Sequence, residues 1–258
     1  MRHELKIDDR TLSYLDFGGP GRLLLALHGG LSEGAHYAGL AASLGDAWRV
    51  IAPDQRGHGD SDRAAEYSRR GYVCDAVALL EHLDPGGPVA VLGFSLGGIN
   101  AYHLAAARPD LVAALVNVDA PVEGAEGPSP FDFLHHLPYT APTREQLVAA
   151  CGPFGESVAP SLRQLPDGSG WRLPFHPQDT LATLAEFRAP QWDVWTASRC
   201  PALLIHGRRS QALPQEQADA MTARRPGTSY AGLDTGHFVP FEDPEGFDDA
   251  VAAFLATL

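Results

Sequence analysis

Apolar positions along this chain fall into two rhythms. Runs at 22–27, 48–52, 89–92 and 112–118 are almost uninterrupted by polar residues, which is the signature of strands buried on both faces of a parallel sheet. Residues 11–17 form a further run of strand length. Between these runs, 37–44, 70–83 and 97–108 have the length and spacing of helices, and Arg108-Pro109-Asp110 is a natural stop because proline cannot continue a helix. Strand alternating with helix predicts a doubly wound α/β sheet.

The rhythm then breaks. Residues 121–190 hold 11 of the 21 prolines, and the helices they predict, 143–150 and 179–187, are short. The alternation resumes with a strand at 202–205, a helix at 215–224, a strand at 228–232 and a closing helix at 244–258. The pattern predicts one α/β core in two parts, 1–120 and 198–258, with a cap inserted at 121–197. Phe131, Phe133, Tyr139, Trp171, Phe175, Trp192 and Trp195 are too many aromatics to bury inside so short and proline-broken an insert, so some are expected to face a cleft.

Composition narrows the partners. Over 258 residues, 19 Lys and Arg against 32 Asp and Glu give a net charge of −13, and residues 226–258 contain no Lys or Arg. No basic face is available for a phosphate backbone or an anionic lipid surface, so neither nucleic acid nor membrane is an expected partner. The first ten residues carry charges where a signal peptide would be apolar, and no stretch approaches the 18 or so apolar residues of a membrane span. Cys74, Cys151 and Cys200 are odd in number and widely spaced, with no CxxC, so they are expected to be reduced thiols in a cytoplasmic protein. No metal-ligand spacing and no phosphate-binding glycine loop stands between a strand and a helix. No cofactor or metal is therefore expected, and the oligomeric state is left open.

Gly93-Phe94-Ser95-Leu96-Gly97 matches G-x-S-x-G directly after a buried strand and at the start of a helix. Glycines there permit a turn tight enough to expose the Ser95 hydroxyl above the sheet. A serine hydroxyl needs a base to become a nucleophile, and His237 follows the last strand on a loop that can return over Ser95. The other histidines are poorer candidates: His28 and His206 end strands before a glycine, His58 belongs to a turn, and His135 and His136 lie in the cap.

On these motifs the chain resembles the α/β-hydrolase superfamily over essentially its whole length. Leu27-His28-Gly29-Gly30 resembles the family's oxyanion loop after its third strand, and Asp54-Gln55-Arg56-Gly57-His58-Gly59-Asp60-Ser61 resembles the turn after its fourth. The resemblance implies an eight-stranded, mostly parallel sheet, with the backbone N–H groups of Gly30 and Leu96 facing the oxygen of a tetrahedral intermediate. The acid departs from the usual pattern: Ser210 stands three residues after Gly207, where most relatives carry Asp. Certain haloalkane dehalogenases and the hydrolase of (E)-2-(acetamidomethylene)succinate place the acid after the sixth strand instead, and by that resemblance Asp119 is the acid and Ser210 is dispensable. Asp234, Glu216 and Asp219 are outsiders.

With serine in the nucleophile's place, the dehalogenase and epoxide-hydrolase chemistry that needs a carboxylate there is excluded. The reading is a serine hydrolase of a small ester, lactone or amide. Carbon–carbon cleavage of a keto acid and a small-ligand receptor are the alternatives. Phe94, Trp171, Arg172 and Phe238 are expected around the substrate, with Arg172 able to pair a carboxylate.

Overall fold

The computed structural model describes residues 1–124, 131–187 and 189–258. The first half runs β1 (Arg2–Ile7), β2 (Arg10–Asp16), β3 (Arg22–Leu27), α1 (Ala38–Leu44), β4 (Trp48–Pro53), α2 (Arg69–Leu83), β5 (Val89–Phe94), α3 (Leu96–Ala107) and β6 (Val112–Val118). A more irregular stretch follows with β7 (Thr140–Ala141), α4 (Arg144–Ala150), α5 (Gly155–Val158), β8 (Arg163–Gln164), β9 (Trp171–Arg172), α6 (Pro177–Ala185) and α7 (Trp192–Ala197). The chain closes with β10 (Ala202–Gly207), α8 (Gln215–Arg224), β11 (Thr228–Leu233), α9 (Val239–Glu242) and α10 (Pro244–Leu255).

Eight strands form one sheet in the order β1-β2-β4-β3-β5-β6-β10-β11. All neighbours are parallel except β1 with β2 and β2 with β4. Every residue of β5 is buried, as its unbroken apolar run predicts for a central strand covered on both faces. Alternate side chains feed two cores. Leu24, Ala26, Val50, Leu92 and Val116 pack with α1 and α10, through residues such as Leu40 and Phe247. Leu25, Leu27, Ile51, Val91 and Leu115 pack with α2, α3 and α8, through Leu79, Leu104 and Met221. Each such Leu, Ile, Val, Met or Phe contributes about 1.5–3 kcal/mol on burial.

β1 is absent from the sequence-predicted elements. Arg-His-Glu-Leu-Lys-Ile alternates between exposed and half-buried positions, a one-faced edge strand with no continuous apolar run. Its antiparallel partner β2 takes up the inner edge of its backbone, with Arg2 opposite Leu15.

Between β6 and β10 the chain leaves the sheet and builds a small antiparallel sheet, β7-β9-β8. Leu134, Leu147, Cys151, Val158, Leu162, Leu173 and Phe175 form a separate apolar cluster there, joined by Leu31 from the loop after β3. Ion pairs tie this region to the turns after β4. The Arg63 guanidinium grips both Asp179 carboxylate oxygens at 2.7 Å, and Asp60 takes Arg172 at 3.0 Å and Arg163 at 3.0 Å. Trp195 belongs to the main core, donating its indole N–H to Met221 O at 2.9 Å. Among the described residues no helix is long and apolar enough to cross a membrane.

Candidate active site

Ser95 stands between β5 and α3 at φ +52°, ψ −117°, a backbone conformation that side chains rarely adopt. Two close approaches hold the turn. A Cβ at Gly97 would sit 2.0 Å from Leu27 O, and one at Gly93 would sit 2.1 Å from Gly97 O, so only glycine lets β3, β5 and α3 come together here. Ser95 N–H donates to Val118 O at 2.9 Å, which fixes the serine over the end of β6.

Asp119 directly follows β6 with a second left-handed backbone, φ +48°. Asn117 supports it, donating through Nδ2 to Ala120 O at 3.1 Å and accepting from Ala120 N at 3.0 Å. The Asp119 carboxylate is fully buried, and three donors satisfy it. Gly207 N–H donates to Oδ1 at 2.9 Å, while His237 Nδ1 at 2.7 Å and the Ser210 hydroxyl at 2.5 Å both donate to Oδ2. With its proton on Nδ1, His237 presents the Nε2 lone pair to the Ser95 hydroxyl at 2.9 Å. The His237 loop is itself held by Glu242, which accepts from Gly236 N at 2.8 Å and Phe238 N at 3.3 Å.

The loop after β3 faces this chain from the other side. Gln55 N–H donates to His28 Nε2 at 2.9 Å, so the His28 proton sits on Nδ1 and is given to Gly29 O at 2.8 Å. Burial first, and the nearby His58 second, push the His28 pKa far below its ordinary value. The His58 ring meets Gly30 O through Nε2 at 2.9 Å. Gly30 lines the same cavity as Ser95, with its Cα toward the Leu96 side chain. Leu96 is the first residue of α3, so its N–H has no acceptor within the helix.

Ser95 and His237 open into a cavity walled by Leu31, Phe94, Phe131, Phe154, Val158, Phe238 and Phe241. The aromatic rings form a connected wall: Phe154 lies 5.6 Å from Phe238 and 6.1 Å from Phe131, and Phe94 lies 6.2 Å from Phe238. Ser32, Ser157 and His36 add polar groups to the lining, with His36 between the hydroxyls of Ser32 and Ser161. Burial lowers the His36 pKa to about 4, so at neutral pH it is an uncharged wall.

Ser95, His237 and Asp119 are thus brought into one hydrogen-bonded chain, with Gly30, Leu96, Phe94 and Phe238 beside it. Trp171 and Arg172 are not, and their expected place in the substrate pocket is corrected. They pair with β7 and β8 in the small sheet, where the Arg172 guanidinium is occupied by Asp60 Oδ1 at 3.0 Å and Gly59 O at 3.1 Å. Asp234 is exposed and paired to Arg209 at 3.1 Å. The sequence reading missed Phe154, Phe241 and His36 because nothing local marks a residue as cavity-facing. It also treated Ser210 as dispensable, whereas its hydroxyl is a donor to the acid.

A serine, a histidine and a buried carboxylate linked at the carboxyl ends of a mostly parallel sheet define a hydrolase. The model of the alpha/beta hydrolase fold family matches residues 22–244, and the chain belongs to that family. It is 33% identical over 240 residues to the lipase LipV of Mycobacterium tuberculosis, covering 88% of this chain and 90% of that one. The 2-(acetamidomethylene)succinate hydrolase of Mesorhizobium japonicum is 40% identical over 102 residues, covering 39% of this chain and 36% of that protein. A crystal structure of E-2-(acetamidomethylene)succinate hydrolase superposes with a TM-score of 0.85 at 24% identity, covering 99% of both chains.

Proposed function

We propose that this protein is a serine hydrolase that cleaves a small, uncharged ester, lactone or amide through an acyl-enzyme. The observation that supports it most directly is the hydrogen-bonded chain Ser95 Oγ, His237 Nε2 and Nδ1, Asp119 Oδ2, opening into an apolar cavity. Ser95 Oγ attacks the acyl carbon as its proton passes to His237 Nε2, and the carbonyl oxygen becomes an oxyanion facing the N–H groups of Gly30 and Leu96. Asp119 holds the imidazolium that forms. The proton then moves to the leaving oxygen or nitrogen as its bond to carbon breaks. A water molecule, deprotonated by His237, next releases the acid and restores Ser95.

Residues 121–197 act as the cap in this reading, supplying Phe131, Phe154 and Val158 to the cavity wall. No Lys or Arg is among the described residues that line it. Arg172 and Arg163, the cations of the small sheet, are engaged by Asp60 and Glu33. The cavity therefore suits an apolar acyl group and has no counter-charge for a carboxylate such as the succinate moiety in the substrate name of the Mesorhizobium relative. A cytoplasmic setting is supported by three cysteines that remain unpaired thiols. The test is covalent labelling by a fluorophosphonate, with turnover of short-chain p-nitrophenyl esters, in wild type and Ser95→Ala. The absence of both labelling and turnover in the wild type would overturn the proposal.

A further inference from the structure

The site usually occupied by the family's acid holds Ser210, and every hydrogen-bonding capacity of that hydroxyl is used. Its oxygen accepts from Ala212 N at 3.2 Å and Leu213 N at 3.3 Å, filling both lone pairs. The single hydroxyl proton then has one destination, Asp119 Oδ2 at 2.5 Å, the same oxygen that receives His237 Nδ1 at 2.7 Å. The other carboxylate oxygen is held by Gly207 N–H at 2.9 Å.

From this accounting we infer that Ser210 is a positioning residue of the reaction, acting on His237 through Asp119. Without the Ser210 hydroxyl, Oδ1 is held by Gly207 N–H and Oδ2 is left to the imidazole that the carboxylate must itself position, so the carboxylate swings more freely about its Cβ–Cγ bond. A second donor on the opposite oxygen, itself anchored to the backbone of the loop after β10, stops that rotation and keeps Oδ2 in line with the imidazole. Removing the hydroxyl also leaves the N–H groups of Ala212 and Leu213 without this acceptor and loosens the loop that carries the device. The cavity and the substrate are untouched, because Ser210 reaches neither. The expected signature is a loss in the chemical step with substrate binding retained.

The inference rests on the hydrolase reading, so the experiment carries one arm that needs no turnover. Wild type, Ser210→Ala and Ser210→Thr are compared by steady-state hydrolysis of p-nitrophenyl butyrate, by thermal unfolding, and by the downfield proton NMR resonance of the His237 Nδ1–H. Loss of one hydrogen bond to a charged group predicts about a 10–100-fold fall in kcat for Ser210→Ala with KM within about twofold. Ser210→Thr restores the hydroxyl at a partly exposed position, so kcat returns to within a few-fold of wild type. The Nδ1–H resonance shifts or broadens in Ser210→Ala and returns in Ser210→Thr. Unchanged kcat and resonance in Ser210→Ala overturn the inference, as does a Thr variant as impaired as the Ala variant while melting like wild type. If the wild type turns over no ester, the hydrolase reading fails by itself, and the resonance still decides whether Ser210 positions the pair.

Discussion

Replacing Asp119 by Asn tests the whole arrangement with a change of one atom type. The Asp119 Oδ1 position accepts from Gly207 N–H at 2.9 Å, so it requires an oxygen. An asparagine must place its carbonyl there, which turns its NH₂ toward His237 Nδ1 and the Ser210 hydroxyl. A donor facing Nδ1 forces the imidazole proton onto Nε2, which faces the Ser95 hydroxyl at 2.9 Å and can then no longer accept its proton. The variant has the wrong tautomer and no charge to hold the imidazolium. A loss of about 10⁴ in kcat is expected, about 5.4 kcal/mol at 1.36 kcal/mol per tenfold. The assay is hydrolysis of p-nitrophenyl butyrate with thermal unfolding as the control for folding, and with Asp234→Asn as the control for position. Asp234 is exposed and bonded to Arg209, so its variant should stay within about twofold of wild type, as surface changes away from the chemistry do. A loss below tenfold in Asp119→Asn, or a larger one in Asp234→Asn, refutes the assignment of the acid.

Ser95→Ala should lower kcat by about 10⁴ or more and abolish fluorophosphonate labelling while the far-ultraviolet circular dichroism stays that of wild type; near-native turnover would place the nucleophile elsewhere. The cavity, with no Lys or Arg among its described lining residues, predicts that a p-nitrophenyl hemisuccinate is hydrolysed with kcat/KM about 100-fold or more below that of the butyrate ester; equal efficiencies would show that a counter-charge reaches the site. Burial holds the folded pKa of His28 and of His36 below the ordinary value of 6.5, so below pH 6.5 the unfolded chain binds protons that the native protein excludes. Stability to urea is therefore complete above pH 6.5 and falls as the pH is lowered toward 4, by up to about 1.4 kcal/mol per pH unit for each histidine. Equal unfolding midpoints at pH 7 and pH 5 would contradict the burial of these rings in neutral form.

What the sequence by itself determined is whatever short-range geometry dictates. The nearly unbroken apolar runs predicted central strands, because a strand covered on both faces admits a polar side chain only where a partner satisfies it, as Ala120 satisfies Asn117. G-x-S-x-G after such a run required the strained turn at Ser95, since the close approaches at Gly93 and Gly97 involve residues within a few positions or on the adjoining strand. His237 was legible as the histidine on the loop after the last strand. Asp119 was legible through resemblance to relatives that place the acid after their sixth strand. Tertiary structure alone decided the rest. Ser210 becomes a donor to Asp119 because β6 and β10 are neighbours in the sheet, although 91 residues separate the two side chains in sequence. Arg172, a plausible carboxylate partner on paper, meets Asp60 from 112 residues away and has no charge left to offer. Phe154 and Phe241 carry the same side chain as aromatics buried elsewhere, and only tertiary packing, of the region between β6 and β10 for Phe154 and of α9 for Phe241, sets their rings in the cavity wall. Local strain and periodicity are written into neighbouring residues, whereas the partner of a side chain is fixed by which strands adjoin and which charges have already been taken.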